Sequence, residues 1–424
     1  MRDGVRALHP VWIAAAAVAV AMGACSSTGA KREEHRSAEA VCEAAGEPEA
    51  CAAAAELYFD GKNGHPLDHE RSFRYASAAC DKGHAFACAL VGYHHQDGLG
   101  TEWAPERAIA DYEKACAGGA GVGCYNLATM YSGGQGVVAD DARAEQYKVK
   151  AKAAWEAACR GSAPRWCTNV AYLLREEKPV DRQRVLELDQ RSCDHQVLVG
   201  CTEAARDRFA MGTMGAAPLL AELERLCRAG EPTACTLAGT LFIAGGEGIT
   251  SDPRRGMTLV VHGCEIGDKE ACKAAGLEYA KGELVPMDLA AADRFVILAC
   301  DHGLGSACDS MARDRGAKGQ FAQQAGFARR ACQMGQAESC ASLSQLYFSG
   351  QGVARSKVDG LRWATEGCRM GYPPSCGPLI EENSELPIPP RMKERVYRDA
   401  CAAGIANACS HQGAAGGSIG APPI

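Results

Sequence analysis

The chain has 424 residues, of which 47% are hydrophobic but only 6% aromatic, and its formal net charge is −7. Alanine dominates the apolar residues, which suits closely packed helices better than sandwich strands, so the expected class is all-α. No run of Lys or Arg forms a stripe that could neutralise successive phosphates, and this excludes nucleic acid as an expected partner.

At the start, Arg2 and Arg6 precede an apolar run from Val11 to Met22, followed by Gly23, Ala24 and Cys25. This is the layout of a secretory signal, and twelve apolar residues are too few to span a bilayer. The small residues before Cys25, with Ser26 and Ser27 after it, resemble a bacterial lipobox, although Met22 stands where leucine is usual. That resemblance implies cleavage before Cys25 and acylation of the cysteine, and Ser26 resembles the outer-membrane sorting signal. Several acyl chains on one residue would hold a protein on a membrane durably. Residues 1–24 are therefore expected to be a lipoprotein signal peptide and 25–36 a lipidated linker. The expected location is the bacterial envelope, as an outer-membrane lipoprotein facing the periplasm or the cell surface.

Beyond Cys25 there are twenty-two cysteines, in eleven neighbouring pairs: Cys42 with Cys51, Cys80 with Cys88, Cys116 with Cys124, Cys159 with Cys167, Cys193 with Cys201, Cys227 with Cys235, Cys264 with Cys272, Cys300 with Cys308, Cys332 with Cys340, Cys368 with Cys376, and Cys401 with Cys409. Ten pairs enclose seven residues and the first encloses eight. In an oxidising compartment free thiols pair or react, and spacing this local and constant predicts a disulfide between each cysteine and its near neighbour. Structural zinc favours cysteines two to four apart in sets of four, often with histidine, so no metal or other cofactor is expected.

The first cysteines of successive pairs lie 32 to 43 residues apart, a period of stacked helical hairpins. Three residues after the first cysteine stands glycine in eight of the ten regular pairs, at Gly83, Gly119, Gly230, Gly267, Gly303, Gly335, Gly371 and Gly404. Glycine there suits the left-handed residue that ends a helix, so the first cysteine is placed in a last turn and the second opens the next helix. Three residues past the second cysteine the side chain is apolar in the first ten repeats, for example Val91, Leu127, Val170 and Leu343, which marks a core position. Seven past it come Tyr58, Tyr131, Phe242, Tyr279 and Tyr347, read as packing, with His95 in the same slot. Glycine-rich turns follow, as in Gly134-Gln135-Gly136-Val137 and Gly350-Gln351-Gly352-Val353, and reverse the chain into the second helix. The longest interval, Cys116 to Cys159, exceeds the usual one by seven residues, about two helical turns, so the helix around Lys148 to Trp155 is expected to lengthen without rotating its cysteine away.

The glycine after the first cysteine, the aromatic seven past the second and the Gly-Gln-Gly-Val turn resemble Sel-one-like repeats, relatives of tetratricopeptide repeats. The constant cysteine spacing resembles the cysteine-rich Hcp-type branch of that family. The resemblance covers about residues 37–410 and implies an α-solenoid of ten to eleven disulfide-stapled hairpins wound as a right-handed superhelix. It also implies a concave face formed by the helices after each second cysteine, and a role as an exported adaptor for an envelope protein or peptide. Residues 411–424 are expected to be a disordered Gly/Ala-rich tail.

In related repeats the residue two past the second cysteine faces the concave surface. Here Asn126, Asn169, Glu203, Ser310 and Ser342 stand there as candidate peptide-binding residues. Some Hcp-type proteins carry β-lactamase or penicillin-binding labels, so a weak hydrolase or a binder of peptidoglycan fragments is the alternative function. Neither a Ser-x-x-Lys pair nor Lys-Thr-Gly occurs, and no catalytic residue is assigned. Gly416-Gly417-Ser418-Ile419-Gly420 matches the nucleophile-elbow string only in a glycine-rich tail with no strand before it.

Overall fold

The computed structural model of the protein describes residues 38–412, apart from 61–65, 162, 247, 383, 389 and 403–404. The signal segment, Cys25, its linker and Gly416 to Gly420 lie outside the described residues. Among the described residues the structure is helical, with one isolated bridge between Gly246 and Ile249.

The helices run α1 (38–45), α2 (Pro48–Asp60), α3 (His69–Asp81), α4 (Ala85–Asp97), α5 (Pro105–Ala117), α6 (Gly121–Gly133) and α7 (Asp141–Arg160). After a single 3-10 turn, Pro164–Trp166, come α8 (Cys167–Glu176), α9 (Arg182–Asp194), α10 (Leu198–Ala210), α11 (Ala216–Arg228), α12 (Pro232–Ala244), α13 (Pro253–Glu265) and α14 (Lys269–Lys281). The array ends with α15 (Leu289–Asp301), α16 (Gly305–Ala317), α17 (Phe321–Gln333), α18 (Ala337–Ser349), α19 (Lys357–Arg369), α20 (Pro373–Glu381), α21 (Pro390–Ala402) and α22 (Ala406–Gln412). The last helix runs two residues past the expected end of the array at 410.

Local sequence sets both ends of these helices. Asp68, Asp181 and Asp252 precede α3, α9 and α13, and their carboxylates accept from the N–H groups of Arg71 (3.0 Å), Arg184 (2.9 Å) and Arg255 (3.1 Å). Asp140 and Asp288 cap α7 and α15 in the same way. Each such cap contributes about 1 kcal/mol. Gly98, Gly134, Gly282 and Gly350 close α4, α6, α14 and α18 in the left-handed conformation. The second glycine of each Gly-x-Gly turn has a different task. A Cβ on Gly136 would lie 2.7 Å from the Pro105 carbonyl carbon, and one on Gly352 would lie 2.2 Å from that of Phe321. The turn thus passes directly over the start of the preceding odd-numbered helix and sets the spacing of successive hairpins.

All eleven cysteine pairs are joined, each linking an odd-numbered helix to the even-numbered one after it, with Cα separations from 4.4 Å at Cys193–Cys201 to 4.9 Å at Cys159–Cys167. Two edges result, one made of glycine turns and one of disulfide-bridged turns. In most repeats the helices joined by a glycine turn, such as α4 with α5 or α12 with α13, pack more extensively than those joined at the disulfide edge, with α9–α10 and α19–α20 the reverse. Most cross-links therefore sit where packing is thinner, and each contributes about 2.5 kcal/mol in the chain-entropy model.

The core runs along the array between the helices. Every side chain three past a second cysteine in the first ten repeats is buried, from Ala54 (0%) through Val91 (5%) to Leu379 (4%). Tyr58, Tyr131 and Phe242 are buried as packing residues, while Tyr279 and Tyr347 are half-buried. α7 has 20 residues against 13 in most other helices, so the extra seven extend it by two turns and leave Trp155 and Cys159 in the core.

The array also closes on itself. The glycine edge at the ends of α4 and α6 meets the disulfide edge of α17 to α19, so hairpins far apart in sequence touch. Trp103, in the turn after α4, stacks on Trp363 of α19 with ring centroids 4.7 Å apart. Arg362 lies over both rings and donates to the Trp103 carbonyl at 2.8 Å. Arg369 bridges Glu106 (2.5 Å) and Glu366 (2.8 Å), and Glu366 accepts from the Gly136 N–H at 3.2 Å. Gln135 donates to the Gln333 carbonyl at 3.3 Å.

Candidate functional site

The even-numbered helices approach one another more closely than the odd ones do, as the inner layer of a curved array must. Their inner faces are graded. On α4 and α6 these positions are covered: Ala89, Leu90, Tyr125 and Asn126 are at most 1% exposed. From α14 to α18 they open, with Leu277 at 50% and Ser306, Ser310, Arg313 and Gln345 exposed.

The five candidate peptide-binding residues fall on both sides of this gradient. Asn126 and Asn169 are buried; the Asn126 amide interacts with the Tyr112 hydroxyl, and the amide oxygens of both residues have no hydrogen-bond partner. Ser310 is exposed and Ser342 half-buried. Glu203, also half-buried, pairs with Arg206 on its own helix and with Arg175 at 3.2 Å. Arg175 also holds Asp189 at 2.6 Å and Asp207 at 2.7 Å, beside a cleft of about 250 Å³ lined by Val180, Arg182 and Met211. Burial pushes the Asp189 carboxyl up to about 7 despite the Arg175 guanidinium.

The end of α4 bears on elements far along the chain. Burial raises the Asp97 carboxyl to about 7, against a hydrogen bond from Tyr93 and the charge of Lys269 on α14. Burial lowers the Lys269 ammonium and raises Glu231, which also feels Glu203 and Asp268. α17 touches α4 directly. The narrow interior is therefore polar and holds charges of both signs.

No arrangement among these side chains activates a nucleophile. Ser72 lies 2.9 Å from His94 Nε2 but donates to the Ala55 carbonyl at 2.9 Å, and both residues are fully buried. Burial holds His94 down at about 4, and its other nitrogen contacts the Leu99 carbonyl at 2.6 Å. His95, in the aromatic slot, contacts Asp111 at 2.8 Å. Ser251, in an open cleft of about 610 Å³, bonds to the Ile243 carbonyl at 3.2 Å. Cys227, Cys235 and His262 converge, yet the two sulfurs are bonded to each other and offer no thiolate. No helix of the described residues is long and apolar enough to cross a membrane.

Sequence reasoning missed Trp103, Gln135, Arg362, Glu366 and Arg369. Their partners lie 198 to 263 residues away, beyond the reach of any local pattern.

A Sel1-repeat family model matches residues 48–84, 85–119, 121–151 and 337–372, so these segments carry Sel1 repeats. Each match spans an even-numbered helix and all or part of the odd one that follows, which places the disulfides between consecutive repeats rather than within them. Among solved structures, a protective antigen of uropathogenic Escherichia coli strains with an SLR fold is similar at 15% identity, over 92% of this chain and 90% of that one, with a TM-score of 0.36. A Sel1 repeat protein from Oxalobacter formigenes is similar at 19% identity, over 70% of this chain and 86% of that one, with a TM-score of 0.38. No curated protein matches the chain.

Proposed function

We propose that this protein is an exported, lipid-anchored scaffold of the Hcp-type branch that holds a segment of another envelope protein on its concave face. The observation that carries the reading is the regular series of disulfides between neighbouring helices, since cross-links of this density persist only in an oxidising compartment. The lipobox-like residues up to Cys25 supply the anchor. Sel1-repeat arrays serve mainly in protein–protein interaction, and the inner face offers hydroxyl, amide and charged groups suited to an extended backbone. Ser310 and Ser342 make the first contacts on the open stretch, Glu203 adds one from α10, and Asn126 and Asn169 form the deeper ones.

Two experiments test this. Fractionation of cells expressing the full chain should place it in the membrane fraction, and Cys25→Ser should release it to the soluble envelope fraction. Capture from detergent-solubilised envelopes should recover a partner that an Asn126→Ala, Asn169→Ala double variant binds less well. Undiminished recovery would reject the clamping role of these residues.

A further inference from the structure

Two sulfurs and an imidazole from three consecutive helices meet at the junction of α11 and α12. Cys227 stands in the last turn of α11, Cys235 in the first turn of α12 and His262 in the last turn of α13, and their ligand atoms all lie within 4.8 Å of one another. Among the described residues no other disulfide has a third metal ligand in reach. Gly263 sets the approach: a Cβ there would lie 2.8 Å from Thr236 Oγ1 and 3.3 Å from the Cys235 Cβ, so a larger residue would push α13 off the first turn of α12. The sulfurs are sealed, with Cys227 at 4% and Cys235 at 0% exposure, while His262 is exposed and its ring has no hydrogen-bond partner among the described residues. In other repeats the slot two residues before a first cysteine holds side chains that do not ligate zinc, such as Ala78, Arg191, Leu298 and Arg330, and Glu366 there is taken by Arg369 and the Gly136 N–H.

We propose that this junction is a redox-gated zinc site, in which Zn2+ replaces the disulfide as the link between α11 and α12 and ties in α13 as well. During local opening a small dithiol reduces the Cys227–Cys235 bond: two electrons and two protons pass to the disulfide, which becomes two thiols, and the dithiol leaves as a cyclic disulfide. Zn2+ then binds both sulfurs as thiolates, releasing two protons, and takes a third ligand from the neutral His262 ring, with water in the fourth position. Zinc–sulfur bonds of about 2.3 Å and zinc–nitrogen bonds of about 2.0 Å hold tetrahedral ligands roughly 3.5 to 3.8 Å apart, so His262 closes in by roughly 1 Å while the sulfurs part. Two thiolates and an imidazole form a soft donor set that suits zinc and not magnesium or calcium. The α11–α12 junction thus keeps a cross-link in both redox states, whereas reduction elsewhere in the array leaves two thiols with no third ligand. Cysteine spacing gave no sign of the site, because its third ligand belongs to the next helix pair.

The test is alkylation of the mature chain, reduced by dithiothreitol without denaturant, freed of reductant under argon, and labelled with iodoacetamide with or without Zn2+, each cysteine being followed by peptide mapping. Zinc should nearly abolish labelling at Cys227 and Cys235 and leave the rates at Cys80, Cys88, Cys300 and Cys308 unchanged. His262→Ala, at an exposed position, should leave thermal unfolding of the oxidised chain as it is and weaken zinc protection of the pair by about tenfold or more, since loss of even an outer partner of a metal ligand costs that much. Protection that is absent, equal at every pair, or undiminished in His262→Ala would overturn the site, as would a Cys227–Cys235 bond that dithiothreitol cannot reduce in the folded chain.

Discussion

Removing one disulfide from the middle of the array gives a sharply localised prediction. Cys264 and Cys272 are both fully buried and stand eight apart, joining α13 to α14. A Cys264→Ala, Cys272→Ala double variant frees a closed loop of about nine residues, for which the chain-entropy model gives a loss of about 2.5 kcal/mol. That corresponds to roughly 70-fold in a local opening equilibrium. Because each repeat of a solenoid is stabilised by its own contacts and those of its neighbours, the loss should stay near α12 to α15. Amide exchange followed by mass spectrometry should show it there, with α3 and α4 unaffected. A change of less than about threefold at α13 and α14, against the value from loop entropy, or an equal change at both places, would refute the picture of disulfides as local supports of a thin interface.

Gln196 has φ +63° at the position where most repeats have glycine, and it is exposed. Gln196→Gly should stabilise the α9–α10 junction by about 1 kcal/mol, seen as slower local exchange, because an L-residue is strained in that region. Gly136→Ala should loosen the stacking of α5 on α7, since its Cβ would meet the Pro105 backbone at 2.7 Å, and thermal unfolding should begin at a lower temperature. Burial pushes the Glu366 carboxyl from 4.5 up to about 7, with Arg369 opposing the shift and Glu106 adding to it. A raised acid holds its proton more tightly in the closed state, so the penalty is absent below about pH 4.5 and complete above about pH 7, at about 3 kcal/mol. The contact between the ends should therefore weaken as pH rises through 7, and Glu366→Gln should remove most of that dependence in a scattering titration.

The fold was legible because its period is written in chemistry that tolerates little variation. A cysteine in a last turn, glycine three residues later and a cysteine opening the next helix describe one short junction, and the structure repeats it at Gly83, Gly119 and Gly335 with φ near 85°. The seven-residue insertion before Cys159 was equally readable, since whole turns preserve the facing of a helix. The Asp caps at Asp68, Asp140, Asp252 and Asp288 carry a signal that a search for starts of odd-numbered helices would find. Gln196 hid its left-handed backbone behind an ordinary side chain. The inner face was only half legible: one position in the repeat is covered at Asn126 and open at Ser310, because burial there depends on curvature and on contacts between helices far apart in the chain, such as α17 with α4. Repeats specify neighbours, and how the two ends of a superhelix meet follows from small rotations summed over many of them.

The most direct test of the architecture is the mass of the mature protein alkylated before and after reduction, with peptide mapping of the unreduced chain. Neighbour pairing predicts no label at the twenty-two cysteines before reduction, twenty-two labels after it, and bridged peptides such as Cys80 with Cys88 and Cys332 with Cys340. Free thiols throughout the native chain, or bridges between distant repeats, would contradict it.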